Sequence, residues 1–157
     1  MQNTAIFPGS FDPFTIGHES IVKRAIPLFD KIIIAIGYNS TKEGFFTLEK
    51  RLEWIKIVFN NEPKIEVASY QGLTVDFCRK VGAGFILRGL RTSSDFEYER
   101  TVAQMNKVML PEIESVFLLT LPEHTHINST IVREILRLGG NADAFLPDVI
   151  KKKIKPV

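Results

Sequence analysis

The chain has almost no cysteine. Cys78 is the single one in 157 residues, so no internal disulfide can form, and a reducing, cytoplasmic setting is expected. It stands in "LTVDFCRK", on the apolar side of a helical pattern, and reads as a buried small hydrophobe rather than a reactive thiol. Long apolar runs are missing too: the longest, "IIIAI" at 32–36, has strand length and cannot span a bilayer, so no membrane role is expected. No basic region followed by a long apolar stretch opens the sequence, so no signal peptide is expected, and the two "NST" triplets then carry no glycosylation meaning. An excess of one charge is also lacking. The formal net charge of +2 is too small to argue for nucleic acid, though it suits a small anionic ligand. Neither familiar phosphate loop occurs, G-x-x-x-x-G-K-[ST] or G-x-G-x-x-G, which excludes a kinase-type P-loop and an ordinary dinucleotide dehydrogenase.

What is present is a regular alternation of short apolar runs with segments of helical period. "TAIFP" reads as a strand, followed by a helix from Gly17 to Phe29 whose last turn Pro27 should distort. "KIIIAIGY" is apolar on both faces, as a central parallel strand should be. Thr47 suits an N-cap, with Leu48, Leu52, Ile55 and Phe59 marking the buried stripe of the helix behind it. "KIEVASY", "GFILRG" and "ESVFLLT" are three further strands. Helices are expected over 73–81, over 95–109 with an apolar stripe of Tyr98, Val102, Met105 and Met109, over 129–138, and over a short basic segment, 147–155. The expectation is one α/β domain over 1–157: a doubly wound, Rossmann-like five-stranded parallel sheet with helices on both faces and a short C-terminal helix.

In such a sheet ligands bind beyond the carboxyl ends of the strands, where the strand order reverses. The turns after the first and fourth strands, "GSFDPFTIGH" and "RGLRTSSDFEYE", should therefore face each other across one crevice. Their residue types are those a phosphate-rich ligand needs. Gly9 and Gly17 let backbone N–H groups approach a ligand, His18 falls at a helix amino terminus, and Arg88 and Arg91 offer planar forks for phosphate oxygens. Asp95 and Glu97 read as solvent-facing.

"FPGSFDPFTIGHESIVKRA", "RGLRTSSDFEYE" and "MNKVMLPEIESVFLLT" closely resemble bacterial phosphopantetheine adenylyltransferase, a nucleotidyltransferase family with a (H/T)-x-G-H signature, here Thr15-Ile16-Gly17-His18. The resemblance runs through "FLPDVI" near the end of the chain. It implies transfer of AMP from ATP to 4′-phosphopantetheine, giving dephospho-coenzyme A and pyrophosphate by direct in-line attack without a covalent enzyme intermediate. Mg2+ bound mainly through the ATP phosphates, a homohexameric assembly, and dephospho-coenzyme A or coenzyme A as product or inhibitor are implied with it.

Carried over residue by residue, the resemblance makes His18 the transition-state stabiliser at the α-phosphate. Ser10, where the family commonly has Thr, and Phe11 match ATP contacts, and Ser10 also matches an acceptor contact. Lys42 and Arg88 match residues that bind the phosphopantetheine side, as does Thr74, at a position that is often apolar. Gly89, Leu90 and Arg91 match ATP contacts, and Glu99 matches the residue that holds the ribose or adenosine portion. His124, Thr125 and His126 fall at the adenine region. The element usually written I-S-S-S-x-x-R appears as Ile127-Asn128-Ser129-Thr130-Ile131-Val132-Arg133, so Ile127 and Asn128 match ATP contacts, Ser129 and Thr130 at a helix amino terminus can donate to the β- and γ-phosphates, and Arg133 can pair within the protein to orient this loop. No metal site is expected at the histidines.

Other readings keep the fold and change the activity. One is a related transferase acting on nicotinamide mononucleotide, or on glycerol 3-phosphate with CTP. Another is a non-catalytic module that senses ATP or coenzyme A. A third is an RNA-binding fragment related to class I aminoacyl-tRNA synthetases, which share the H-x-G-H form. The "RGLR" and "DFEYE" runs oppose the first, and the presence of His18, Lys42, Arg88 and Arg91 together opposes the second. The small net charge opposes the third.

Overall fold

A computed structural model of the chain describes residues 2–154. Five strands, β1 (Thr4–Gly9), β2 (Lys31–Gly37), β3 (Ile65–Tyr70), β4 (Phe85–Leu90) and β5 (Glu114–Leu119), form one parallel sheet in the order β3-β2-β1-β4-β5. The helices are α1 (Ile16–Ala25), α2 (Leu48–Val58), α3 (Thr74–Val81), α4 (Ser93–Met109), α5 (Ser129–Arg137) and α6 (Asp148–Lys151).

The unbroken apolar runs of the central strands explain this layering, because their residues must be covered on both sides. Ala5, Phe7, Ile32, Ile34, Ile36 and Leu87 pack into one core with residues of α1, α2, α5 and α6. The alternate residues Ile6, Ile33, Ala35 and Ile86 pack into a second core with Val75, Phe77 and Cys78 of α3 and with Leu110 and Ile113 just beyond α4. Cys78 is fully buried, and that burial pushes its thiol up to about 11, as an inert core residue requires.

Four local differences from the sequence reading have physical causes. Helix α1 ends at Ala25, because Pro27 diverts the chain into a short 3-10 turn, Ile26–Leu28. Helix α4 starts at Ser93, where the Thr92 hydroxyl accepts from the Asp95 N–H as an N-cap. Helix α6 is only Asp148–Lys151, with Ile150 buried beneath it, and Lys155 of the expected span lies outside the described residues. The stripe expected on α4 is not covered by this chain: Tyr98 is 69% and Met105 61% exposed, beside Val108 at 83%. Among the described residues, no helix is long and apolar enough to cross a membrane.

The chain moves outward from β1 through β2 to β3, then crosses to the other side of β1 to form β4. The reversal leaves a crevice above the carboxyl ends of β1 and β4.

Candidate active site

A cavity of about 310 Å3 lies over that crevice, and both expected turns line it. A second cavity, of about 210 Å3, runs between the β3–α3 turn and α4. The two share Pro8, Gly9, Arg88 and Glu99, so they meet over the ends of β1 and β4. Two ligands placed end to end would touch there.

The first turn is built around the start of α1. Thr15 is the N-cap, its hydroxyl accepting from the His18 N–H. His18 returns the favour in place of the usual glutamate of a capping box: its Nδ1 accepts the Thr15 N–H at 3.0 Å. That bond makes Nδ1 the acceptor and leaves the ring proton on Nε2. Three phenylalanine rings surround the imidazole, with Phe11 edge-on to it at 5.0 Å. Phe11 itself holds a left-handed backbone, φ 47°, which L side chains adopt only under tertiary constraint. Its ring occupies the space a side chain on Gly9 would need: a Cβ there would lie 2.8 Å from Phe11 Cζ. Gly9 is therefore required by the ring that supports His18, a reason internal to the protein. Gly17 differs. A Cβ on it would meet nothing closer than 3.5 Å, yet it lines the cavity, which leaves close approach of a ligand as its physical rationale.

Burial pushes the His18 imidazole down from its usual 6.5 to about 3, with the positive charges of Arg88 and Arg91 adding to the effect. The ring is thus neutral at physiological pH, and its Nε2–H is a donor that carries no charge of its own.

The two arginines are held by different carboxylates. Arg88 grips Glu99 with two bonds, Nε to Oε2 at 2.9 Å and Nη2 to Oε1 at 2.6 Å, while its Nη1 donates to the Pro8 carbonyl at 2.6 Å. Arg91 donates from Nε to Asp95 Oδ2 at 3.2 Å and from Nη1 to the Ile127 carbonyl. Asp95, expected to face solvent, instead lines the cavity and is only partly exposed because it meets this guanidinium. Glu97 is exposed, paired with Arg100.

Helix α5 closes the far wall. Asn128 is its N-cap, accepting from Ile131 N–H at 2.9 Å, which gives that residue a structural reason where the usual motif has serine. The Ser129 hydroxyl donates to the Pro13 carbonyl, and Arg133 donates to the Asp12 carbonyl at 2.7 Å and to Thr130 Oγ1, so the motif's arginine does orient this loop. His124 also lines the cavity, and its Nδ1 is buried without a partner among the described residues.

Of the expected site residues, Ser10, Phe11, His18, Gly89, Arg91, His124, Ile127, Asn128, Ser129 and Thr130 line the first cavity. Thr74 lines the second, its hydroxyl bonded to Tyr70 Oη at 2.8 Å, and Arg88 and Glu99 line both. Lys42, Leu90, Thr125 and His126 line neither. Lys42 is exposed on the β2–α2 loop, Leu90 is buried, and the His126 ring packs toward Phe145. Asn106 and Phe117 of the second cavity escaped the sequence reading, although Glu99 and Asn106 stand seven residues apart on one helical face. Asp12 and Arg51 also gain roles. The Asp12 carboxylate accepts the N–H groups of Phe45 and Phe46, tying the β2–α2 loop to the first turn, and Arg51 of α2 donates to the Ser10 carbonyl.

The crevice at the switch point of this parallel sheet presents Arg88 and Arg91, and the family model described as Cytidylyltransferase-like matches residues 6–135, which places the chain among the nucleotidyltransferases. The fold agrees: the bifunctional NMN adenylyltransferase/ADP ribose pyrophosphatase of Francisella tularensis superposes with a TM-score of 0.71, at 19% identity, over 93% of this chain and 45% of that longer one. Much stronger sequence similarity exists to phosphopantetheine adenylyltransferases. That of Christiangramia forsetii is 52% identical over 95% of this chain and 98% of its own. That of Leptospira biflexa is 47% identical over 96% of this chain and 94% of its own. The chain belongs to the phosphopantetheine adenylyltransferase family.

Proposed function

We propose that this protein transfers AMP from ATP to 4′-phosphopantetheine, releasing pyrophosphate and forming dephospho-coenzyme A. The observation that carries the reading is the junction of two cavities at Arg88, with the His18 ring in the wall of the first. ATP occupies the first cavity, and its phosphates meet Arg91 and the start of α5. The acceptor lies along the second cavity with its phosphate against Arg88. An acceptor phosphate oxygen forms a bond to the α-phosphorus as the α–β bridging bond breaks, and the electron pair of that bond leaves with pyrophosphate. A phosphate is already a competent nucleophile, so the protein's work is to align two polyanions and to stabilise the charge that builds on the α-phosphate oxygens. The neutral Nε2–H of His18 donates to one of those oxygens. Ser10 and Phe11 at the first turn contact ATP, Ser10 also contacts the acceptor, and Lys42 reaches the acceptor phosphate from the β2–α2 loop.

Mg2+ enters with the ATP phosphates as part of the substrate. The donor set fits that role: among the described residues no three His, Cys, Asp or Glu converge, and the cavity carboxylates Asp95 and Glu99 are each committed to an arginine. The exposed apolar side of α4 supports self-association, with a homohexamer the expected assembly. Coenzyme A, which contains the pantetheine arm, is the expected inhibitor, and the cytoplasm the expected setting.

The test is pyrophosphate release by purified protein with ATP and each candidate acceptor. Turnover of phosphopantetheine but not of nicotinamide mononucleotide or glycerol 3-phosphate is expected. The reverse pattern overturns the reading.

A further inference from the structure

We infer that Arg51, a buried arginine outside both cavities, is a positioning residue for His18: it holds the Ser10–Phe11 peptide, and through that peptide the ring that backs the imidazole. The inference rests on the role given to His18 above. Arg51 lies on α2, is only 7% exposed and lines neither cavity. A guanidinium is costly to take out of water, and the usual compensation is a carboxylate. Here the one hydrogen bond it makes among the described residues goes elsewhere: Nη1 donates to the Ser10 carbonyl at 2.8 Å, while Nε is buried without a partner. What that burial secures is the direction of a single carbonyl.

Three carbonyls of the turn after β1 are held by side chains of the surrounding helices: Ser10 by Arg51, Asp12 by Arg133 and Pro13 by Ser129. Only the first belongs to the peptide that enters Phe11, the one non-glycine residue with a positive φ among the described residues. That φ is the rotation between the planar Ser10–Phe11 peptide and the rest of Phe11, so fixing the plane also constrains the ring. A left-handed backbone at a bulky residue persists only where its surroundings over-determine it, and the bond from Arg51 is one of those constraints. On the other side of the turn the Phe11 ring fills the space over Gly9 and stands edge-on to His18, the nearest of the three rings around the imidazole. The Thr15 N–H fixes Nδ1 alone, and a ring held at one atom can still swing about it. Packing against Phe11 limits that swing and so aims Nε2–H. Without Arg51 the peptide can turn, Phe11 can relax toward negative φ, and Nε2–H loses its aim while the Thr15 bond survives.

The experiment is steady-state kinetics with ATP and phosphopantetheine on the wild type, Arg51→Met, Arg51→Lys, His18→Ala and the two double variants, with a thermal melt of each. Arg51→Met keeps an unbranched apolar stem and removes the donors. Its kcat is expected to fall about tenfold, the scale of one charged hydrogen bond, with both KM values within about threefold of wild type because Arg51 faces neither cavity. Arg51→Lys retains one charged donor and is expected to lose about threefold in kcat; it carries the test should Arg51→Met not fold. Because Arg51 acts through His18, neither substitution is expected to lower kcat further in the His18→Ala background. A folded Arg51→Met with wild-type kcat overturns the inference, whether or not its melting temperature falls, since a merely structural residue would change the melt alone. So does a loss confined to KM, or a kcat loss undiminished in the His18→Ala background. Should Arg51→Met not fold, a wild-type kcat in Arg51→Lys, or a loss that persists without His18, overturns it equally. A wild type that does not turn over phosphopantetheine overturns the functional reading and this inference with it, whereas the other contrary results, with a normal wild type, overturn this inference alone.

Discussion

At His18, the amide of Thr15 donates into Nδ1, and the same contact that caps α1 therefore fixes the tautomer of the ring. The side chain that caps the helix is the one proposed to donate to substrate, so its geometry is set by the helix start rather than by a separate scaffold. Burial beside two guanidiniums keeps the ring neutral down to about 3. The 15N shifts of His18 in the free protein are expected to stay those of a neutral Nε2–H imidazole from pH 8 to pH 5. A titration near the usual histidine value contradicts the assignment. The same shift has a consequence for stability. Between about 3 and 6.5 the unfolded chain binds a proton at His18 that the folded chain does not, so stability is full above pH 6.5 and falls as pH drops toward 3. Replacing His18 with Asn removes that part of the slope, which urea unfolding at a series of pH values measures.

Among the elements, the β2–α2 loop depends on one carboxylate more than its sequence suggests. Asp12 accepts from Phe45 and Phe46 at 2.7 and 2.9 Å, three and four residues beyond Lys42, while its own carbonyl accepts from Arg133 of α5. The turn after β1 is thereby joined to the loop carrying Lys42 on one side and to the helix facing the first cavity on the other. Asp12→Ala is expected to lower stability by about 1–3 kcal/mol, because two part-buried N–H groups lose a charged partner, and to raise the KM for phosphopantetheine. Asp12→Asn, which keeps one acceptor, should do less of both. Thermal melts and steady-state kinetics check this, and a wild-type KM in Asp12→Ala contradicts the coupling. This contact joins residues 33 positions apart, and no local pattern announces it. The strands were legible because Ile32 to Ile36 are apolar on both faces, and the crevice followed from their alternation with helices. The pairing of Asp95 was not legible, since Arg91 precedes the helix and meets it only once Thr92 sets the cap.

Across the whole molecule, the apolar stripe of α4 shows a limit of periodicity. The spacing of Tyr98, Val102, Met105 and Met109 marks a face that wants cover, but it does not say which chain supplies the cover. Within one chain the face stays open, with Tyr98, Met105 and Val108 strongly exposed. Met105→Glu together with Val108→Glu is therefore expected to reduce the assembled mass in sedimentation velocity; an unchanged mass contradicts a role for this face in self-association. The second cavity uses the adjoining face of the same helix, where Val102 and Asn106 sit beside Glu99. One helix thus lines a cavity with Tyr98, Val102 and Asn106 and leaves Met105 and Val108 open beside it.

The account turns on the His18 ring donating to the α-phosphate, and the turnover number of His18→Ala at saturating ATP and phosphopantetheine tests this most directly. A fall of about 10²–10³-fold is expected, the loss typical of removing one such donor, with both KM values within a few-fold of wild type and an unchanged fold by circular dichroism. A folded His18→Ala protein turning over at near the wild-type rate contradicts it.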